Sequence, residues 1–95
     1  MSNAIKHDRK DLKPEEIRIA VRERINRFPA PWPTLLHIDE NGSSIERTRV
    51  DWLVRIQADS SLAMQKSFEI HQRLSELQSG VEDDLGAYIT VFLDH

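Results

Sequence analysis

The segment from residue 48 to residue 70 changes its hydrophobic period partway along, and this change restricts the folds that the chain can adopt. Up to Ile56 the less polar side chains occupy every second position, which is typical of a strand with one buried face. Beyond Ser61 the apolar residues recur at helical spacing, in a stripe made by Ala63, Ile70, Leu74 and Leu77. A helix over residues 44–58 would scatter the alternating set around its circumference, so we predict a strand followed directly by a helix.

A helix is also predicted near the start of the chain. Pro14 suits the first turn of a helix, and the two glutamates after it suit the positive end of the helix dipole. One face of this helix is apolar and contains Ile17, Ala20, Val21, Ile25 and Phe28. The three prolines of PAPWP, residues 29–33, cannot continue a helix and therefore end it.

Turn and cap residues place the remaining elements. The segment TLLHI predicts a first strand, and Asn41-Gly42 predicts a hairpin turn after it, because both residues tolerate positive φ. Gly80 is predicted to end the long helix, with Glu82, Asp83, Asp84 and Gly86 in an acidic loop beyond it. The segment AYITVFL is rich in β-branched and aromatic residues and predicts a last strand.

The predicted order of elements is therefore α-β-β-α-β, in one small α+β domain. Residues 1–13 are polar and mixed in charge, which predicts a flexible N-terminal tail, and residues 14–95 form the single domain. We expect the helices to lie on one face of a three-stranded sheet.

Composition and charge narrow the classes of function. The net charge is -3 and the isoelectric point is about 5.8, which argues against binding to nucleic acid. The chain has no cysteine, which excludes disulfides and thiolate metal sites. Its longest apolar stretch, Ala87 to Leu93, is far too short to cross a bilayer, so direct membrane insertion is not expected. We expect a soluble, cytoplasmic protein.

The order of elements and several residues within it resemble the cytoplasmic C-terminal domain of cation diffusion facilitator metal transporters. VDWLVRIQAD is similar to the family's second strand and SSL to its short turn. SFEIHQRLSEL is similar to its helix and AYITVFLD to its final strand. The resemblance implies a ferredoxin-like fold, a dimer, and binding of zinc or a related divalent ion.

The resemblance also implies three histidines that this chain lacks. They would lie on the second strand, at the start of the helix and on the last strand, where the chain has Arg55, Phe68 and Phe92. Only Asp94 keeps a ligand type of the family. A guanidinium and two phenyl rings cannot ligate zinc, which needs nitrogen, oxygen or sulfur lone pairs. We therefore expect the fold without its usual metal site.

A different set of metal ligands remains open at the C-terminus. Asp94 and His95 bring a side-chain carboxylate, an imidazole and the terminal carboxylate together, and with His71 they can hold zinc or another divalent cation. A frayed, solvated terminus accounts for the same residues without a site and is favoured. His37 and Glu46 are expected to form a polar pair across the hairpin.

Four aromatic residues are candidates for core packing or for an interface. Trp52 lies on the alternating face and is predicted to be core. Trp32 either packs against the end of the first helix or anchors a partner, since tryptophan is enriched at interface hot spots. Phe68 and Phe92 occupy positions that the resembling family keeps polar, which predicts apolar packing inside the monomer or across a dimer.

These observations favour a protein that is not an enzyme. The first hypothesis is a dimerising regulatory or partner-binding module, forming a homodimer or binding a protein such as a membrane transporter. The second is a sensor or buffer of divalent metal that uses Asp94, His95 and His71. The third is a small α+β enzyme or enzyme subunit, for which the sequence offers no nucleophile-base pattern or phosphate-binding loop.

Overall fold

The computed structural model of the chain describes residues 11–41, 43–59 and 66–94. Within them the fold is a mixed α+β domain, as predicted. In chain order, the elements are α1 Pro14–Asn26, α2 Trp32–Leu35, β1 Leu36–His37, β2 Ile45–Arg47, β3 Trp52–Ala58, α3 Ser67–Leu85 and β4 Ile89–Asp94.

The start of α1 follows from its local sequence. Pro14 occupies the first turn, and Lys13 N donates a hydrogen bond to Glu16 Oε2 at 2.9 Å, which satisfies one amide group before the helical ladder begins. The predicted apolar face is confirmed, because Ile17, Ala20, Val21 and Ile25 are buried and Phe28 is partly buried. Leu12, which the sequence placed in the tail, is 3% exposed and belongs to the same core.

Strand β3 is the centre of the sheet. β4 runs parallel to it, whereas β1 and β2 run antiparallel to it. Because Gln57 opposes both His37 of β1 and Asp94 of β4, those two strands lie on opposite sides of β3. By the same argument β2 lies on the same side of β3 as β1, so β1 and β2 are two pieces of one edge strand. The predicted α-β-β-α-β order is therefore confirmed, except that the short helix α2 precedes the first strand and that strand is divided, and a ferredoxin-like description is compatible with it.

The helices lie on one face of this sheet. Trp52, Val54 and Ile56 of β3 point toward them and are at most 5% exposed, which confirms Trp52 as core. Helices α1 and α3 contact each other, and α3 also packs along β4. Within the described part of the chain, no helix is long and apolar enough to span a bilayer.

The first hairpin differs from the prediction. The strands that flank Asn41 pair with β3 and not with each other, and Gly42 lies outside the described residues. The chain reverses at residues 48–51 instead, where Thr48 N donates to Asp51 O at 2.8 Å and Asp51 N donates to Thr48 Oγ1 at 2.9 Å. The predicted strand start at Thr48 was wrong, because this threonine closes a turn and leaves Val50 67% exposed.

The long helix ends later than predicted. Gly80 is buried inside α3, and Gly86, with a φ of 63°, is the left-handed residue that ends it, so the predicted acidic loop is helical. A Cβ atom at Gly80 would lie 2.5 Å from Arg24 Nη1. The glycine therefore lets an arginine of α1 lie directly against α3. Ala63, the first residue of the predicted apolar stripe, lies outside the described residues.

Candidate functional site

Among the described residues, no helix lies over the second face of the sheet, and we call this surface the outer face. Its side chains alternate with the buried ones along each strand, and they are partly or fully exposed. The outer face is formed by His37, Glu46, Leu53, Arg55, Gln57, Thr90, Phe92 and Asp94.

Two of the three positions that the resembling family fills with histidine are neighbours on the outer face. Arg55 and Phe92 oppose each other in the parallel register of β3 and β4, and the guanidinium carbon lies 5.4 Å from the ring centroid. Arg55 Nη2 also lies 3.3 Å from Glu46 Oε1, and its side chain is 33% exposed. A guanidinium held between a phenyl ring and a carboxylate repels a metal cation, so these residues do not fit the family's metal site.

The alternative metal ligands are placed at one end of the domain. Because α3 returns antiparallel to β4, the first turns of α3 lie near the last residues of β4, which brings His71 and Asp94 to the same end. His71 is exposed and Asp94 is partly exposed, and His95 lies outside the described residues. Among the residues that the structure describes, no group of three His, Cys, Asp or Glu side chains is arranged to hold a metal ion.

The three aromatic interface candidates have different environments. Trp32 is 4% exposed and belongs to the core, the packing role that the sequence left open for it. The guanidinium carbon of Arg73 lies 5.5 Å from its ring centroid and 5.5 Å from that of Phe28. Phe92 is partly exposed on the outer face, whereas Phe68 is 73% exposed in the first turn of α3. Phe68 and Phe92 therefore stay candidates for an interface.

The predicted pair of His37 and Glu46 was wrong. Both residues belong to the divided edge strand, so they lie one after the other along β3 and not across a hairpin from each other. His37 opposes Gln57, and Glu46 pairs with Arg55. The error follows from the turn, because moving the reversal from residues 41–42 to residues 48–51 changes every cross-strand neighbour.

No described strand pairs with the edge of β4 that faces away from β3, and side chains of α3 cover this edge. Ile89 N donates to Glu82 Oε2 at 3.0 Å, and Val91 N donates to Gln78 Oε1 at 2.9 Å. Gln78 and Glu82 lie four positions apart on α3, on the side that faces β4. The sequence shows this spacing, but it does not show which strand the helix will lie along, so Gln78 was missed and Glu82 was assigned to a solvated acidic loop.

A groove of about 420 Å³ opens beside this edge. One wall carries Val50 and Tyr88, which are 67% and 47% exposed. The remaining lining residues are Asp51, Gln78, Glu82, Ile89 and Thr90. Asp51 is held rigidly there, because its Oδ1 accepts from the Thr48 hydroxyl at 2.6 Å and its Oδ2 accepts from the Thr90 hydroxyl at 2.7 Å.

Comparison with known proteins identifies no relative of the chain. No protein-family model matches the chain, and no curated protein or solved structure matches it. The resemblance to the C-terminal domain of cation diffusion facilitators therefore depends on the residues quoted above and stays a prediction.

Proposed function

We propose that this chain is a non-catalytic module that pairs with a second copy of itself through the outer face of its sheet. The observation that carries the proposal is the composition of that face. Leu53 and Phe92 give it an apolar part, Arg55 lies beside Phe92 on the central strand, and Glu46 and Asp94 lie on the two flanking strands. Interfaces commonly combine a buried apolar core with a polar rim in this way.

The size of the molecule supports a pairing of this kind. The Cα atoms span 37 × 31 × 18 Å. The two longest dimensions enclose roughly 900 Å², so an interface of the standard ~800 Å² per partner would take up most of one broad side of the domain.

The charges of the outer face support a second copy as the partner. Arg55 lies on the central strand β3. Glu46 lies on β2 and Asp94 on β4, on either side of β3 and toward opposite ends of the sheet. A two-fold arrangement makes every contact twice, so Arg55 of each copy can meet a carboxylate of the other. A surface with one sign of charge would repel its own copy.

The experiment is sedimentation across a wide range of protein concentration, with Leu53→Gln and Phe92→Gln variants. Both positions point to solvent in the monomer, so neither variant should unfold, and circular dichroism checks this. We expect the native chain to dimerise and each variant to weaken the dimer about tenfold, or ~1.4 kcal/mol.

The matched control is Ile19→Gln on α1, where the native side chain is 46% exposed but lies far from the outer face. It should leave the dimer unchanged. A native chain that stays monomeric at every concentration would remove the proposal, and so would an Ile19→Gln variant that weakens the dimer as strongly as Phe92→Gln.

A further inference from the structure

We propose that protonation of His37 strengthens the pairing of two copies through the outer face, so that the dimer is tighter in mildly acidic solution than above neutral pH. This inference rests on the proposed function and adds the condition that regulates it. It follows from the positions of His37, Glu46 and Asp94 on the sheet.

His37 is separated from both carboxylates within one copy. Gln57 of β3 opposes His37 on one side and Asp94 on the other, so two strand spacings, roughly 10 Å, lie between these two residues. Glu46 lies further along the same edge strand, where its Oε1 is 3.3 Å from Arg55 Nη2. His37 and Glu46 are exposed and Asp94 is partly exposed, so a second copy can reach all three side chains.

A two-fold axis brings these separated groups together. Sheets that pack face to face in the aligned class keep their strand directions within about 30° of each other, which leaves two positions for the axis of a dimer centred on the outer face. An axis along β3 exchanges the two sides of the sheet and places His37 over the partner's Asp94. An axis across the strands exchanges the two ends of the sheet and places His37 over the partner's Glu46. His37 therefore meets a carboxylate in both arrangements.

The charged groups of the same copy that flank His37 come from α1, from β3 and from the segment after β1. They are Arg22, Arg55, Asp59, Asp39 and Glu40. Arg22 Nη2 lies 3.0 Å from Glu40 Oε1, so these two charges offset each other. Arginine and carboxylate side chains ordinarily stay charged across the range in which histidine titrates, so a change of pH in that range acts on the imidazole and not on its neighbours.

The sign of the effect follows from the charge of the imidazole. Histidine is the side chain that ordinarily changes its charge between about pH 5 and pH 8. A protonated imidazole is attracted to a carboxylate that faces it, and the two-fold axis makes this contact twice. Association should therefore be strongest in mild acid and should weaken as the pH rises through the titration range of histidine.

The test is sedimentation of the full chain at about pH 5.5 and at about pH 7.5, at one ionic strength. We expect the dissociation constant of the native dimer to be roughly fivefold lower at the acidic pH. His37→Gln should remove most of this response, because glutamine stays neutral. His37→Lys should also remove it, but it should keep the tighter dimer at both pH values, because lysine stays charged.

The matched control is His71→Gln on α3, where an exposed histidine lies outside the outer face. This control is needed because the isoelectric point of the chain is about 5.8, so acid also reduces the general repulsion between copies. His71→Gln makes the same change in titratable charge and should keep the response that His37→Gln loses.

The outcomes separate this inference from the proposed function. A native dimer that is equally tight or weaker at the acidic pH would overturn the inference and leave the outer-face dimer in place, and so would equal pH responses in His37→Gln and His71→Gln. A native chain that is monomeric at both pH values would instead remove the proposed function, and the inference with it.

Discussion

Arg24 of α1 and Asp84 of α3 form a bidentate pair that joins the two helices. Arg24 Nε donates to Asp84 Oδ2 at 2.9 Å, and Nη2 donates to Oδ1 at 2.8 Å. The hydrogen bonds and charge of Arg24 lower the pKa of Asp84, against a smaller opposing effect of burial. The side chains are 30% and 41% exposed, so solvent screening limits what the pair contributes to stability.

A double-mutant cycle should measure a modest coupling between these two residues. Arg24→Met keeps much of the arginine stem and Asp84→Asn keeps the carboxylate shape, so the cycle isolates the ionic hydrogen bonds. We expect a coupling of about 0.5–1 kcal/mol in the free energy of unfolding by urea at neutral pH. The Glu15–Arg18 pair, local to α1, is the control and should give less. A coupling equal to the control would contradict a special role for the bidentate geometry.

The same pair predicts a specific response to acid. The folded-state pKa of Asp84 is lowered, so its contribution to stability is complete above the ordinary carboxyl pKa of about 3.9 and is lost as the pH falls through the folded-state pKa. Nearby Arg27 acts in the same direction. Asp84→Asn should reduce the loss of unfolding free energy between neutral pH and acid. An Arg24→Met chain should show Asp84 titrating closer to its ordinary pKa in carboxyl NMR spectra.

The effect of Gly80→Ala on stability should depend on whether Arg24 is present. A Cβ at Gly80 would lie 2.5–2.9 Å from three atoms of the Arg24 side chain, so Gly80→Ala displaces the guanidinium and breaks its pair with Asp84. In an Arg24→Ala chain that obstacle is gone, and alanine is favoured over glycine inside a helix by about 1 kcal/mol. Gly80→Ala should therefore stabilise the Arg24→Ala chain and give no gain in the native one. Thermal unfolding of the four chains measures this, and an equal gain in both backgrounds would contradict the proposed contact.

Removal of the side chains that cover β4 should make the chain associate through this edge. Gln78→Ala with Glu82→Ala leaves Ile89 N and Val91 N without their side-chain acceptors, and an exposed edge with unpaired groups is a template for another strand. Light scattering during storage should show more aggregation than for the native chain. Ser75→Ala with Ser79→Ala changes exposed positions of the same helix and is the control. Equal aggregation of the two double variants would count against edge protection.

Local patterns predicted those features of the fold whose partners lie nearby. The apolar face of α1, the buried side of β3 and the strand in AYITVFL each follow from a period that is visible within a few residues. The end of α3 did not follow in this way, because Gly80 was interpreted as the residue that ends the helix and Gly86 as part of a loop. The structure shows a different use of Gly80, which leaves space for Arg24, a residue distant in sequence.

The candidate site was harder to predict than the fold. The outer-face neighbours Arg55 and Phe92 were singled out because of a family resemblance, but their contact depends on the register of two parallel strands. The groove could not be predicted, because it joins the turn that contains Val50 to one side of α3 and to the start of β4. The turn at residues 48–51 could not be predicted, since Thr48 fits both an alternating strand and a turn that is closed by its hydroxyl group.

The division of the first strand has a consequence for assembly. Its pieces are two and three residues long, and their pairing partners on β3 are separated by Arg55 and Ile56. A sheet grows sideways only from an edge that presents a continuous ladder to the next chain. On this side, the interruption removes that possibility without any blocking side chain. Open-ended growth of the sheet from this edge is therefore disfavoured by geometry, which is compatible with the proposed association through the outer face, where growth ends once that face is covered.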